Sequence, residues 1–351
     1  MPAHALMEEN TASVTCFLLR DAPLEQRNSF RVPARAARYS ELRDAAGLPE
    51  LLQRRELKAM PLLVLGEGSN LLFTKDYEGL VLHMANRGIQ MLEGGETARV
   101  RVAAGERWHS FVRWSLDHGL AGLENLALIP GTVGAAPIQN IGAYGAEVGE
   151  YIAMVEAYDR HLGEFVQLDN AACAFAYRDS VFKRESERFI VTAVDFALPR
   201  RHHLKLDYAG VREELEVMGV KRPQPLDVAQ AVEALRRRKL PDPAITGNAG
   251  SFFKNPLLDA ARAAALVAAH PKLPNWPAAE GKVKVSAAWL IETCGFKGVR
   301  DGDAAVSDKH SLVLINCGHA SGAQIWALAT RIRDAVQNRF GIRLEPEPLI
   351  L

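Results

Sequence analysis

Between Leu128 and Gly149 the chain carries Gly131, Gly134, Gly142, Gly145 and Gly149 with Pro130 and Pro137, yet keeps Ile129, Val133, Ile138 and Ile141 among them. A flexible linker so rich in glycine would be polar. An apolar one has to be packed, and each glycine weakens folding through chain entropy unless close backbone approach repays it. The bland reading is a packed Ω-like loop. A loop that wraps a ligand is slightly favoured.

The 351 residues exceed what one hydrophobic core usually serves, so two or three domains are expected. Apolar residues make up 48% and charged residues 24%, enough for a core without metals or disulfides. Lys+Arg and Asp+Glu both number 42. That balance argues against nucleic acid and anionic membranes as partners, while leaving room for a local basic patch facing a phosphorylated small molecule. Cys16, Cys173, Cys294 and Cys317 are scattered, with no CxxC pair and no metal-ligand spacing, so free thiols in a reducing compartment are expected. Met1 to Asn10 lacks a basic region followed by an apolar run, and no stretch is long and apolar enough to span a bilayer. The expectation is a soluble cytoplasmic protein with no membrane insertion.

Helix and strand signals intermix along the chain. Residues up to about Glu25 show no period and read as a loosely packed extension. Pro61 to Leu65 is an apolar run closed by Gly66, a buried-strand signal. Arg99 to Ala103 alternates as a half-buried strand, and Trp108, Phe111, Val112 and Leu116 share a helical face that Gly119 stops. Val155 to Tyr158 and Ile190 to Leu198 read as strands. Asp227 reads as an N-cap with Gln230 three residues on. Its helix closes with Arg236-Arg237-Arg238-Lys239, which suits the negative dipole end. Helices are expected over about Asp259 to His270, from Ser286 to Cys294, and along Ile325, Ala329, Ile332 and Val336 up to Gly341, with a strand over Leu312 to Ile315. This is α+β rather than a regular βαβ array.

Five segments are candidates for chemistry. Gly66-Glu67-Gly68-Ser69-Asn70 follows the apolar run, and its amides are placed to face phosphate oxygens. A Rossmann site fails, because the third glycine of GxGxxG would fall at Leu71 and no acidic residue stands at the right distance. An ordinary tight turn explains the segment equally well. In the segment Pro130 to Gly145 the ligand reading is stronger. In Tyr177-Arg178-Asp179-Ser180-Val181-Phe182-Lys183 the arginine is a planar donor for a carboxylate or phosphate; a surface ion pair with Asp179 or a neighbouring Glu is the more economical reading. Ser251, in Gly247 to Pro256, lacks a GxSxG elbow, so a turn or helix-cap serine fits the residue alone better than a nucleophile. Leu344-Glu345-Pro346-Glu347 sits among apolar neighbours, where one glutamate is expected to be partly buried.

Taken together and in this order, with Gly122-Leu123-Glu124-Asn125 added, these motifs resemble the UDP-N-acetylenolpyruvoylglucosamine reductase family. The resemblance runs from about Asn28 to the C-terminus, and Leu206-Asp207-Tyr208 is similar to the tyrosine loop of the longer subclass. It implies a two-subdomain FAD-binding fold of the vanillyl-alcohol-oxidase (PCMH) type plus a C-terminal α+β substrate-binding domain. The expected division is an N-terminal extension over 1–27, a FAD-binding domain over 28–218, and a substrate-binding domain over 219–351 whose last residues return to the active site. Non-covalent FAD, NADPH as electron donor and UDP-N-acetylglucosamine enolpyruvate as acceptor are implied, with a monomer as the expected state and a weak homo-oligomer as the alternative. Flavin N5 would deliver hydride, Arg178 and Glu347 would stabilise the developing enolate, and Ser251 would give the proton. FAD would lie against Gly66, Glu67, Gly68, Ser69, Asn70, Pro130, Gly131, Gly134, Ile138, Gln139, Asn140 and Gly145, the amides of Gly66 to Asn70 and of Pro130 to Gly134 cradling its diphosphate. Tyr208 would close over the substrate, Lys239 and Arg236 would lie near its diphosphate, and Asn255 near the uridine. The sequence departs from the family pattern at Ala135-Ala136 and at Pro348.

Two other functions are consistent with parts of the sequence. One is a FAD-dependent oxidase or dehydrogenase on the same scaffold. Such enzymes usually hold FAD through a His or Cys near the glycine segment, and none stands within Gly66 to Asn70 or Leu128 to Gly149. The other is a non-enzymatic nucleotide-sugar binder, which the joint presence of Arg178, Ser251 and Glu347 disfavours.

Overall fold

The structure, a computed structural model, describes residues 17–208 and 210–351. They form two compact units. The first comprises the chain up to Ala22, Ala36–Glu67 and Glu78–Arg236; the second comprises Pro23–Arg35, Gly68–Tyr77 and Arg237–Leu351.

In the first unit a four-stranded sheet runs in the order Leu18–Pro23, Arg35–Leu42, Tyr77–Met84, Leu62–Leu65. The apolar run after Pro61 forms its strand, parallel to Tyr77–Met84, with Leu62 opposite Leu80 and Leu65 opposite His83. Leu42, Leu48, Leu51, Leu80 and Leu82 pack together there. A second, antiparallel sheet has the order Glu164–Asp169, Ile152–Asp159, Phe189–Pro199, Thr97–Ala103, Ile89–Glu93. Thr97–Ala103 alternates as its sequence implies, burying Ala98, Val100 and Val102. Phe189–Pro199 lies between two neighbours and is buried almost throughout, so its sequence runs apolar. The helix Trp108–Asp117 lays Trp108, Phe111 and Val112 on this sheet, with the rings of Phe111 and Phe196 4.8 Å apart. Leu126, Ala127, Val133, Ala136, Ala146 and Val148 join the same core. The glycine-rich segment is therefore packed, as its apolar content requires.

The second unit holds a four-stranded sheet in the order Gly247–Ser251, Val313–Asn316, Ala304–Val306, Arg300–Asp301, and a three-stranded one in the order Leu257–Asp259, Lys282–Val285, Asn275–Pro277. The helices Ala260–Ala269, Ala287–Thr293 and Gly322–Phe340 appear where periodicity and caps place them, with Ser286 capping one and left-handed Gly341 closing another. The strand Leu349–Ile350 pairs in parallel with Leu71–Leu72. Among the described residues no helix is long and apolar enough to cross a membrane.

Two expectations need correction. Leu18–Pro23 is a sheet strand rather than part of a loose extension; six residues carry too few alternations to register as a period. The rest of the expected extension, up to Cys16, lies outside the described residues. Asp227 is not an N-cap. The helix begins at Pro225, and Asp227 Oδ2 accepts the Gln224 amide at 2.7 Å. Proline pre-sets the first helical position, so the cap moves upstream and the aspartate becomes its reciprocal acceptor.

Gly322 opens the helix Gly322–Phe340, where a Cβ would stand 1.7 Å from the Phe73 carbonyl oxygen. Gly-to-Ala exchange in a helix ordinarily stabilises by up to about 1 kcal/mol. Here Gly322→Ala should instead destabilise by about 1–3 kcal/mol, because the opposing atom is backbone and cannot swing away. Thermal unfolding of the two proteins measures the sign.

Candidate active site

Gly66 ends the strand Leu62–Leu65, and a Cβ there would lie 2.5 Å from Thr132 Oγ1. Only glycine lets this turn close against the loop that contains Thr132. Glu67 then ties the two together: Oε2 accepts the Gly131 amide at 3.1 Å while Oε1 pairs with Arg107 Nε at 2.8 Å. Gly131 has a φ of 115°, which L residues rarely adopt. The expectation that amides of Pro130 to Gly134 cradle a diphosphate is corrected for three of them. Gly131 donates to Glu67, Val133 to the Glu106 carbonyl at 2.8 Å and Gly134 to the Ala104 carbonyl at 2.8 Å. These positions shape the loop by close contact; a Cβ on Gly134 would lie 2.5 Å from Ala104 Cβ.

The segment from Ile138 onward is fixed by side chains. Asn140 is buried with φ 44°; its Nδ2 donates to Glu147 Oε2 at 2.9 Å and to the Ala176 carbonyl at 3.1 Å, and its Oδ1 accepts the Gly149 amide at 2.8 Å. Ser180 Oγ donates to the Ile138 carbonyl at 2.6 Å. Gln139 lies half-buried between these anchors. Arg178 Nη2 donates to the Gly142 carbonyl at 2.6 Å, and its guanidinium carbon stands 5.3 Å from the Tyr177 ring centroid. Asp179 pairs with Arg184. Lys205 Nζ reaches the Gly145 carbonyl at 3.3 Å, and Asn125 Nδ2 the Tyr144 carbonyl at 2.8 Å. Tyr208, half exposed, meets the Tyr144 ring edge-on at 5.3 Å.

Strain concentrates here. Leu128, Asn140, Tyr144 and Arg178 have φ of 57°, 44°, 47° and 55°. A non-glycine residue in that region costs on the order of 1–3 kcal/mol, and such residues cluster where a ligand is clamped. Arg236 donates Nε to the Leu128 carbonyl at 3.2 Å. Burial pulls its guanidinium below the ordinary value, and Tyr144 acts the other way. Arg236, expected at the substrate diphosphate, is thus set against the glycine segment.

The second unit holds the other candidates. A Cβ on Gly68 would lie 2.0 Å from the Arg27 carbonyl oxygen. Beyond Ser69, the Asn70 carbonyl accepts the Leu349 amide at 3.1 Å and Asn70 Nδ2 donates to the Glu347 carbonyl at 3.3 Å. These two bonds flank Pro348, which has no amide to offer. Ser251 ends the strand Gly247–Ser251 opposite Val313, after a register shift and a left-handed Gly250. It is neither a helix cap nor a free turn residue. The Glu347 amide donates to the Phe252 carbonyl at 2.8 Å and the Lys254 amide to the Glu345 carbonyl at 3.0 Å. The C-terminal segment therefore runs beside the one after Ser251 and brings Glu347 next to it. Glu347 is half-buried and Glu345 exposed, the asymmetry expected of the pair. Lys239 lies exposed at a helix end. Burial above all, with the charges of Lys239 and Lys297 adding to it, holds His310 below its usual value and so neutral near pH 7. Asn255 Oδ1 accepts the Ala287 amide at 3.0 Å, anchoring a helix.

Arg107 supports this architecture and passed unnoticed in the sequence, because its partner Glu67 lies far back along the chain. Ser180 stood within a candidate segment without a role of its own; it is the N-cap of Val181–Arg184 as well as the donor to Ile138.

Residues 37–169 match the FAD binding domain family, and residues 242–351 match the UDP-N-acetylenolpyruvoylglucosamine reductase C-terminal domain. Fold and loops thus define a FAD-binding flavoprotein of the oxidoreductase class. Curated relatives named UDP-N-acetylenolpyruvoylglucosamine reductase are 54% identical in Chromobacterium violaceum, over 94% of this chain and 98% of that one, and 54% identical in Xanthomonas euvesicatoria, over 95% and 96%. A Xylella fastidiosa relative of that name is 53% identical over 94% and 95%. The chain belongs to the UDP-N-acetylenolpyruvoylglucosamine reductase family. The crystal structure of the Thermus caldophilus enzyme of that name shares the fold, with TM-score 0.66 over 99% of both chains at 23% identity.

The first unit fits FAD on its own geometry. Gly66 and Gly134 let chain segments close to a distance no side chain would allow, and strained residues line the loop that follows, the setting of a ligand clamp. Glu67→Leu removes both bonds that hold the turn to the loop and should weaken FAD binding at least about tenfold. Glu67→Gln keeps an acceptor for Gly131 and should fall between. Fluorescence titration of the apoprotein with FAD measures both.

Proposed function

We propose that the chain catalyses the NADPH-dependent, FAD-mediated reduction of UDP-N-acetylglucosamine enolpyruvate to UDP-N-acetylmuramate, in peptidoglycan precursor synthesis. The observation that carries this is identity of 54% along nearly the whole chain to enzymes named for that substrate, with Arg178, Ser251 and Glu347 all present. Residues 28–218 serve the cofactor and 219–351 the substrate in this reading, acting as a monomer in the cytoplasm.

FAD, when bound, supplies the hydride for the terminal carbon of the enolpyruvyl double bond after reduction by NADPH. The chain's residues manage the charge that results. Negative charge develops on the adjacent carbon and spreads into the substrate carboxylate as an enolate. Arg178 answers it with a fixed planar donor, pre-set by its bond to the Gly142 carbonyl. Glu347, in a protonated form, is the second donor, and its backbone is held from both sides by Phe252 and Asn70. Ser251 Oγ gives the proton to the carbon. A hydroxyl is a feeble acid, but the enolate is a strong base and the strand end fixes the donor in place. Gly66 to Asn70, Pro130, Gly131, Gly134, Ile138 to Asn140 and Gly145 line the cofactor, the amides of Gly131 and Gly134 being bonded within the protein. Lys239 and Arg236 meet the substrate diphosphate, Asn255 the uridine end, and Tyr208 closes over the substrate.

The test is anaerobic. The purified protein should be yellow, bleach with NADPH, and regain colour on addition of UDP-N-acetylglucosamine enolpyruvate. Colour that stays bleached would move the function to another flavin reductase or oxidase; a protein that takes up no FAD would end the reading. Ser251→Ala should bleach normally but recover about 10²–10⁴-fold more slowly. Gly142→Ala places a Cβ 2.8 Å from Arg178 Nη1. It should slow colour recovery about tenfold, through loss of Arg178 alignment, while the FAD-to-protein ratio stays that of the parent.

A further inference from the structure

Leu128 precedes the cofactor loop in a left-handed conformation, φ 57°. Unlike asparagine, leucine has no side-chain hydrogen bond to offset that strain. Its peptide groups are held from outside. The Leu128 amide donates to His109 Nδ1 at 3.0 Å, and the Leu128 carbonyl accepts Arg236 Nε at 3.2 Å. The two side chains come from different helices, Trp108–Asp117 and Pro225–Lys239. Because Nδ1 accepts, the proton of the neutral ring sits on Nε2. That nitrogen faces Glu233 Oε1 at 3.6 Å, and Arg113 Nη1 faces the same oxygen at 3.7 Å. Glu233 is only 8% exposed, so its contact with the ring is poorly screened.

The conformation of Leu128 passes on with little slack. Ile129 precedes a proline and is restricted to extended backbone. Pro130 has its φ fixed by its ring. Gly131 is tied to Glu67. A rotation at Leu128 would therefore be felt at Gly131.

We propose that His109 is a positioning residue for the cofactor loop. Its Nδ1 acts as the acceptor that holds Leu128 left-handed, and the Glu233 carboxylate faces the protonated Nε2 from the far side of the ring. This rests on the reading of the first unit as the FAD site. The assay is FAD titration of the apoprotein, followed by flavin fluorescence and by the visible band of the bound flavin. In His109→Asn the new amide oxygen would occupy nearly the place of Nδ1, whereas in His109→Gln it would reach toward the place of Nε2. His109→Leu should weaken FAD binding at least about tenfold and return the band toward that of free flavin. His109→Asn should stay within about a factor of two of the parent, and His109→Gln should resemble His109→Leu. FAD binding by His109→Leu as tight as the parent's would overturn the proposal. So would equal loss in the Asn and Gln variants, which decides the matter even where the leucine variant does not fold. A parent protein that takes up no FAD would instead sink the functional reading.

Discussion

The carboxylate of Glu67 is the interaction on which the first unit's site depends. One oxygen holds the Gly131 amide and the other Arg107, so the turn after one strand and the loop before the glycine segment cannot part without stranding an amide and an ion-pair partner. An exposed ion pair alone is worth little. A carboxylate that also accepts a backbone amide fixes geometry as well as charge. The same loop is packed closely at Gly66, against Thr132, and at Gly134, against Ala104. Glycine there is a steric requirement.

The second unit uses main-chain bonds to the same end. Glu347 donates its amide to Phe252 and offers its carbonyl to Asn70. An acid near the end of a chain would ordinarily sample many positions; this one has its backbone held on two sides. Pro348 fits this arrangement without loss, because the bonds fall on its neighbours and none is asked of its missing amide. The strained residues of the first unit are held too: Lys183 Nζ donates to the carbonyl of left-handed Arg178, and His109 Nδ1 accepts the amide of left-handed Leu128.

Much of this was legible in the sequence, and the failures share a cause. Trp108 to Leu116 and Ile325 to Val336 repeat at helical spacing over several turns, and their helices appear with the expected caps. Arg99 to Ala103 alternates and is a half-buried strand. Leu18–Pro23 is too short to show a period, and Asp227 was misplaced because Pro225 starts the helix earlier. That the glycine-rich segment is packed was legible from its apolar residues, but the bonding of its amides was not, since Glu67 and Gly131 lie 64 residues apart. Nothing local marks His109 as the acceptor for Leu128 or Asn255 as a helix anchor. Long-range polar pairs leave no trace in local periodicity, which is why recognising the order of five motifs told more than any one of them.

The division into units has a consequence for how the polypeptide is made. The second unit draws on Pro23–Arg35 and Gly68–Tyr77 and on Arg237–Leu351, which leaves the ribosome well after them. Asn316 Nδ2 donates to the Phe30 carbonyl, and Leu71–Leu72 finds its strand partner only in Leu349–Ile350. At translation rates of about 5–20 residues per second, the early segments wait roughly 14–55 s for those partners. During that interval the turn Gly68 to Asn70 is present without the chain that clamps it. A newly made molecule thus completes the turn from Gly68 to Asn70 only once the strand Leu349–Ile350 has been synthesised.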